Sequence, residues 1–289
     1  MIGVTGASGK LGQAILERLS RLDRGERRVV ACSRNPSATQ NGLADELRAA
    51  DFSRYETLEP AFHGLETLLV VSVEAPDEVR VELHRNAVKA ARAAGVRRIV
   101  YTSFLDVDPA SPSFVAKVHR ETEADIRASG LSWVMLRDGP YLDNSARRIA
   151  AAANRESVFR WSSASAALPF ISRDDLAEAA AVAALSDLKN AALRLTGPEL
   201  LSFDDLCRLV SDRVGRTISF QSISDEDFGA DLKAHGLADD LIRRRVAYAQ
   251  AMRLGFLSAL TDDFRSLTGR NPENAATALQ AINLNEPIH

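Results

Sequence analysis

The chain has 289 residues, 46% hydrophobic and 26% charged, with a formal net charge of −3. That length suits one large domain or a domain with an added lobe, and the composition is that of an ordinary globular protein. No basic field argues for nucleic acid or an anionic membrane, and apolar stretches such as "AEAAAVAAL" are too short and Ala-rich to span a bilayer.

Ile2–Thr5 reads as a buried strand ending in the glycine turn "GASGKLG". Apolar residues at Leu11, Ile15, Leu19 and Leu22 then follow helical spacing. "RRVVACSR" is a second strand, and Ala50–Phe52 ends a short third one. "TLEPAFHGL" is a short helix, and Thr67–Val73 is a strand apolar on both faces, as a central parallel strand should be. "DEVRVELHRNAVKAARAAG" is a long helix closed by Gly95. "RRIVYTS", the helix "HRETEADIRASG" and "LSWVMLR" continue the alternation. This pattern predicts an α/β fold with a doubly wound parallel sheet and a ligand crevice along the carboxyl ends of its strands.

After about residue 140 the pattern loosens. "SVFRWSS", "AALPFIS", "AALRLTG" and "TISFQSI" read as strands; "RDDLAEAAAVAALSD" and "SFDDLCRLVSDRVG" read as helices, and the tail from Ser224 is largely helical. With no linker or repeat in view, residues 1–140 form the nucleotide-binding core. Residues 141–289 complete that core and form a smaller lobe that is not independent.

Gly6 permits a tight strand-to-helix turn, Gly9 lets backbone approach a pyrophosphate, and Gly12 lets the helix pack on the first strand. The helix N-terminus then faces the anion. The spacing is G-x-x-G-x-x-G, a departure from the usual G-x-G-x-x-G. The second strand ends in Ser33 and Arg34, where an acidic residue would hold a free ribose 2′-hydroxyl. A guanidinium there forks onto a 2′-phosphate, so NADP(H) is the expected cofactor. Asp51 reads equally as a partner of the adenine amine or as a turn residue.

A carbonyl reductase of this build commonly takes its proton from a Tyr followed by Lys at i+4. The chain has four tyrosines, Tyr55, Tyr101, Tyr141 and Tyr248, and none is so followed. The remaining catalytic candidates are His119, Ser103, Lys117 and Tyr141. His119 and Glu123 are an i, i+4 pair that reads as a proton donor or as a surface pair. Lys117 reads more simply as a solvated cation, Ser103 equally as a strand-end hydroxyl, and His84 as structural. The missing acid suits acceptors that take hydride without a proton relay. A quinone gives a hydroquinone anion with a phenolic pKa near ~10, and a cationic dye becomes neutral. No metal site is expected. Cys32 and Cys207 have neither ligand spacing nor a disulfide framework. They fit a reducing, cytoplasmic setting, and a strand starting at residue 2 leaves no expected signal peptide.

Together "GVTGASGKLG", "SRNP", "HRNAVKAARAAGVRRIVYTS", "HRETE", "SGLSWVMLRDGPYLDN" and "SRDDLAEAAA" resemble the NmrA-like branch of atypical short-chain dehydrogenases. The likeness is to the NADPH-dependent quinone oxidoreductase type 2 subgroup, which includes triphenylmethane dye reductases. The resemblance implies a Rossmann-type sheet with a small C-terminal α+β lobe and an acceptor between them. It implies that Gly6, Ala7, Ser8, Gly9, Lys10 and Leu11 hold the pyrophosphate and Arg34 the 2′-phosphate. Ser72, Val73 and Glu74 would follow the ribose and nicotinamide. Asp138, Gly139, Pro140, Tyr141, Leu142 and Asp143 would line the nicotinamide pocket, with Arg173 entering from the second half. The loop departs from the family's "RNGWY-EN" pattern, since Asp138 replaces an amide and Pro140 an aromatic. The implied function is an NADPH-dependent reductase passing hydride to a quinone or similar flat small-molecule acceptor, without nucleic acid or membrane partners. The rival is a redox sensor with little turnover. A sugar-nucleotide epimerase is disfavoured because its chemistry needs the absent tyrosine. Long exposed helices in such folds often pair, so a homodimer stays open.

Overall fold

Strand β1 (Ile2–Thr5) is buried along its whole length, and a seven-stranded sheet is laid out around it in the computed structural model. The structure describes residues 1–39, 42–153 and 157–286. The other strands are β2 (Val29–Ser33), β3 (Glu46–Ala49), β4 (Thr67–Val70), β5 (Arg98–Phe104), β6 (Ser132–Asp138) and, from the second half, β8 (Ala191–Leu195). They pair in parallel in the order β3–β2–β1–β4–β5–β6–β8. The order reverses between β1 and β4, which opens a crevice at the carboxyl ends of those two strands.

One face carries α1 (Lys10–Arg21) and α6 (Arg173–Leu185), which pack on each other. Helix α1 buries Ile15, Leu16 and Leu19, each contributing roughly 1.5–3 kcal/mol over exposure. Helix α6 is rich in alanine and buries Ala177, Ala179, Ala180, Ala181, Ala183 and Ala184, so it lies close to the strands. The opposite face carries α2 (Leu58–Phe62), α3 (Asp77–Ala93) and α4 (Phe114–Ala128) over a core that includes Phe62, Leu68, Ile99 and Met135.

The lobe has its own apolar core, built around Phe159, Trp161 and Phe203. It contains α5 (Leu142–Ala153), β7 (Val158–Trp161), α7 (Phe203–Val214), β9 (Ser219–Ser222), α8 (Asp225–Ala234), α9 (Asp239–Arg253) and α11 (Ala275–Ala281); α10 (Asp263–Thr268) packs back on α6. Strands β7 and β9 form a separate parallel pair.

Three expectations are corrected. The strand expected over Thr67–Val73 ends at Val70. Beyond it the amides of Val71, Ser72 and Val73 donate to Thr5 Oγ1, Thr102 Oγ1 and His84 Nε2, so side chains replace the ladder. "AALPFIS" forms no strand and makes only isolated bridges at Leu168 and Ile171. Helix α5 was not anticipated, although Leu142, Ala146, Ile149 and Ala150 are all buried at helical spacing.

One buried carboxylate ties α4 to the sheet. Glu123 accepts from Ser103 Oγ at 2.7 Å, from Arg137 at 3.0 and 2.8 Å, and from Arg127 at 2.8 Å. Burial pushes its carboxyl up, but the bonds from Arg137, Ser103 and Arg127 outweigh this and hold it below its ordinary value. The stability it contributes is therefore whole above its unfolded pKa of about 4.3 and is lost as pH falls toward the lowered folded value. Glu123→Gln is expected to cost about 3 kcal/mol at pH 7 and to flatten the loss of stability below pH 5, read from urea melts across pH.

Candidate functional site

The turn after β1 is built from backbone alone. Gly6 adopts φ +62°, and the Gly9 amide donates to the Gly6 carbonyl at 2.9 Å. A Cβ at position 12 would run into the Gly6 carbonyl oxygen and lie 3.0 Å from Ala7 Cα. Gly12 is thus what lets α1 approach β1. Gly9 is the N-cap of α1, and no side chain caps that end, so the positive helix end faces the crevice with its first-turn amides outward. This is a cradle for an anion. Lys10 Nζ lies 2.8 Å from Glu286, whose other oxygen pairs with Arg147 on α5, so the C-terminal segment reaches back to the glycine turn.

At the end of β2, Ser33 is buried with its Oγ unpartnered among the described residues, as is Thr39 Oγ1 a few residues on. Arg34 is exposed beside them and has no ion pair among the described residues. Asp51 lies across from it. Its carboxylate accepts from Ser53 Oγ at 2.7 Å and Ser53 N at 2.9 Å. Those bonds, with help from Arg34, hold it below the usual carboxylate range. The turn role read for Asp51 is therefore the one seen in its contacts.

Between β4, β5 and the two helices above them lies a polar cluster that the sequence only half announced. Arg80 donates to Ser72 Oγ at 2.7 Å and meets His119 Nε2 at 3.1 Å. A guanidinium has only donors, so His119 Nε2 accepts and its proton is on Nδ1, which donates to Tyr101 Oη at 2.9 Å. By the same logic His84 accepts from the Val73 amide on Nε2 and donates from Nδ1 to Thr122 Oγ1. Burial, then the Arg80 charge, holds His84 down to about 3 and His119 well below its ordinary value. Both imidazoles are neutral.

His119 is therefore a buried, fully engaged neutral ring, neither a surface residue nor a protonated acid. It does not pair with Glu123, which has its own partners. Ser103 is buried and spends its hydroxyl on Glu123. Lys117 is 64% exposed, on the outer side of α4 beside Glu121. Ser72 and Val73 line the loop that this cluster holds, and Glu74 is exposed at its end. Arg80 was missed, although it lies one turn before His84 on α3 and so shares its face.

The third side of the crevice comes from the end of β6. Asp138 is only 4% exposed and accepts from Tyr141 Oη at 2.8 Å. Burial pushes Asp138 up to about 8 against the pull of that bond, and burial beside Asp138 drives the Tyr141 phenol well above its usual value. Gly139 donates to Leu195 O at 2.8 Å, while the Pro140 carbonyl accepts from Ile171 N and Leu142 N donates to Ile171 O. Asp143 accepts from Arg173 N at 2.8 Å and Arg173 Nη1 at 2.9 Å. Arg173 also lies 6.0 Å above the Tyr141 ring. Asp138, Tyr141, Asp143 and Arg173 thus meet at one edge, as the sequence reading grouped them. Among the described residues no group of three His, Cys, Asp or Glu side chains is placed to hold a metal ion, and no helix is long and apolar enough to cross a membrane.

The residues present fit a dinucleotide: an uncapped helix end, a backbone approach that a Cβ would fill, and buried hydroxyls without partners. Comparison with known proteins agrees. Residues 6–187 match the NAD(P)H-binding family. The chain is 34% identical to quinone oxidoreductase 2 of Escherichia coli (strain K12) over 244 residues, 83% of this chain and 84% of that one. It superimposes on the E. coli NADPH-dependent quinone oxidoreductase in complex with NADPH with a TM-score of 0.89 at 31% identity, covering 97% of this chain and 99% of that one. It superimposes on Citrobacter sp. triphenylmethane reductase in complex with NADP(H) with a TM-score of 0.86 at 28% identity, covering 98% and 100%. The chain therefore belongs to the NAD(P)H-binding family and is an NAD(P)H-dependent oxidoreductase related to these reductases.

Proposed function

We propose that this oxidoreductase uses NADPH and passes hydride directly to a quinone or similar flat conjugated acceptor. One observation carries the reading. The crevice has a dinucleotide cradle but, among the described residues, no tyrosine–lysine acid. Tyr101 is bonded to His119, Tyr141 to Asp138, and Lys117 faces solvent. Such a site suits an acceptor that needs no protein proton, and the relatives named for quinone and triphenylmethane reduction support that class. A redox sensor without turnover is not favoured, because the named relatives are reductases.

The first turn of α1 would hold the pyrophosphate, and Arg34 would meet the 2′-phosphate. Thr5, Thr102 and His84 hold the 71–73 backbone in one shape, where it would follow the ribose and nicotinamide. Asp138, neutral below pH 8 or so, and Tyr141 form the wall opposite. When bound, a reduced nicotinamide supplies a hydride, two electrons with one proton. The quinone takes that pair, and the resulting hydroquinone anion takes its second proton from water. The protein's part is to bring the two rings to near-attack distance, about 3–3.5 Å, and exclude competing water.

Loss of NADPH absorbance with a panel of quinones is the direct test; turnover is expected with at least one, and tight nucleotide binding without any turnover would overturn the reading. Arg34→Asp is expected to weaken NADPH roughly 10–100-fold, as for loss of a charge-assisted bond of about 1.5–3 kcal/mol, while NADH affinity changes little; calorimetry checks both. Gly12→Val is expected to abolish nucleotide binding and to cost about 1–3 kcal/mol through overpacking, read as a lowered Tm.

A further inference from the structure

Most partly buried arginines of the described residues have an evident partner. Arg137 and Arg173 meet carboxylates. So do Arg244, Arg253 and Arg270. Arg98 satisfies carbonyls at the end of α6, and Arg80 bonds Ser72 and His119. Two arginines of the lobe break the pattern. Arg148 on α5 and Arg245 on α9 are half-buried and have neither an ion pair nor a hydrogen bond among the described residues. Arg148 Nε is fully enclosed without an acceptor, and its guanidinium rests 6.0 Å from the Trp161 ring centre. Burial, then the Arg245 charge, pulls Arg148 below its ordinary value, and burial alone pulls Arg245 down.

Their surroundings lead to the crevice. Tyr248, one turn from Arg245 on α9, lies in the field of Arg148. Its ring centre is 6.1 Å from Phe104, and Phe104 is 5.9 Å from His119. Phe104 ends β5 in register with Asp138. The nearby carboxylate, Asp106, is engaged by Ser111 and the Asp108 amide and pairs with neither arginine. Two neighbouring half-buried cations without a counter-ion among the described residues are costly. Beside an aromatic wall at the hydride-transfer edge, they fit a ligand that is flat at one end and anionic at the other.

Resting on the reductase reading above, we infer that Arg148 and Arg245 bind an anionic oxyacid group, a sulfonate, carboxylate or phosphate, carried by the acceptor. The physiological acceptor is an anionic conjugated compound, and cationic dyes are disfavoured.

The test compares kcat/KM for 1,4-naphthoquinone-2-sulfonate with that for 1,4-naphthoquinone in the full chain. Taking this ratio across variants cancels the difference in reduction potential between the two acceptors. Arg148→Gln and Arg245→Gln are each expected to lower the ratio about tenfold, as for loss of a charge-assisted bond, with Arg148→Lys recovering part of it. Raised salt is expected to lower the wild-type ratio, and malachite green to be a poorer substrate than either quinone. A ratio unchanged within about twofold in both Gln variants overturns the inference. If Arg148→Gln does not fold, Arg245→Gln on the more open α9 decides. If no acceptor turns over, the reductase reading fails while the anion site is still tested. Calorimetric binding of the sulfonate to NADP⁺-saturated protein should then weaken about tenfold in Arg245→Gln, and equal or absent binding to wild type and variant overturns the site.

Discussion

Helix α1 can rest on β1 only because position 12 carries no side chain. The Gly6 carbonyl occupies the space a Cβ would need, and every later feature of the crevice follows from that contact. It sets the angle at which the uncapped end of α1 meets the carboxyl edge of the sheet. It leaves room for backbone rather than side chains to face an anion. Beside this fixed point the strand order reverses between β1 and β4.

The second constraint is electrostatic. The crevice wall is held by buried polar groups whose bonds are mutually determined. Arg80 fixes the tautomer of His119, which fixes the direction of the Tyr101 bond, while His84 pins the 71–73 backbone. Every ring nitrogen of both imidazoles is engaged in this network, which keeps them neutral, while Arg80 Nε is buried without a hydrogen-bond partner among the described residues. On the other side Asp138 is kept protonated near neutrality by burial, with Tyr141 donating to it. The crevice walls are thus built from neutral imidazoles, a buried carboxyl and backbone groups around the Arg80 guanidinium.

Much of this was legible in the chain. Alternating apolar runs and amphipathic segments placed β1, β2, β4, β5 and β6 because parallel central strands are apolar on both faces. The glycine spacing announced the turn that lets α1 rest on β1, and the exposed Arg34 at the end of β2 is where the sequence places it. What was not legible depends on pairings distant in sequence. Nothing in "TLLVVSV" shows that the ladder gives way at Val71, because the replacing acceptors are Thr5, Thr102 and His84. His119 and Glu123 have helical spacing, but only the packing of α4 on β5 and α3 shows that both are buried with separate partners. The lobe was hardest. Its strands pair outside the main sheet, and α5 was hidden behind a loop motif although its alanines and Ile149 keep a helical period.

The central claim is that the glycine cradle binds NADPH at the end of α1, and a crystal structure of the full chain grown with NADPH tests it most directly. The account predicts the pyrophosphate on the first turn of α1 and the 2′-phosphate within hydrogen-bonding distance of Arg34. A nucleotide bound elsewhere, or one whose 2′-phosphate points away from Arg34 into solvent, would contradict it.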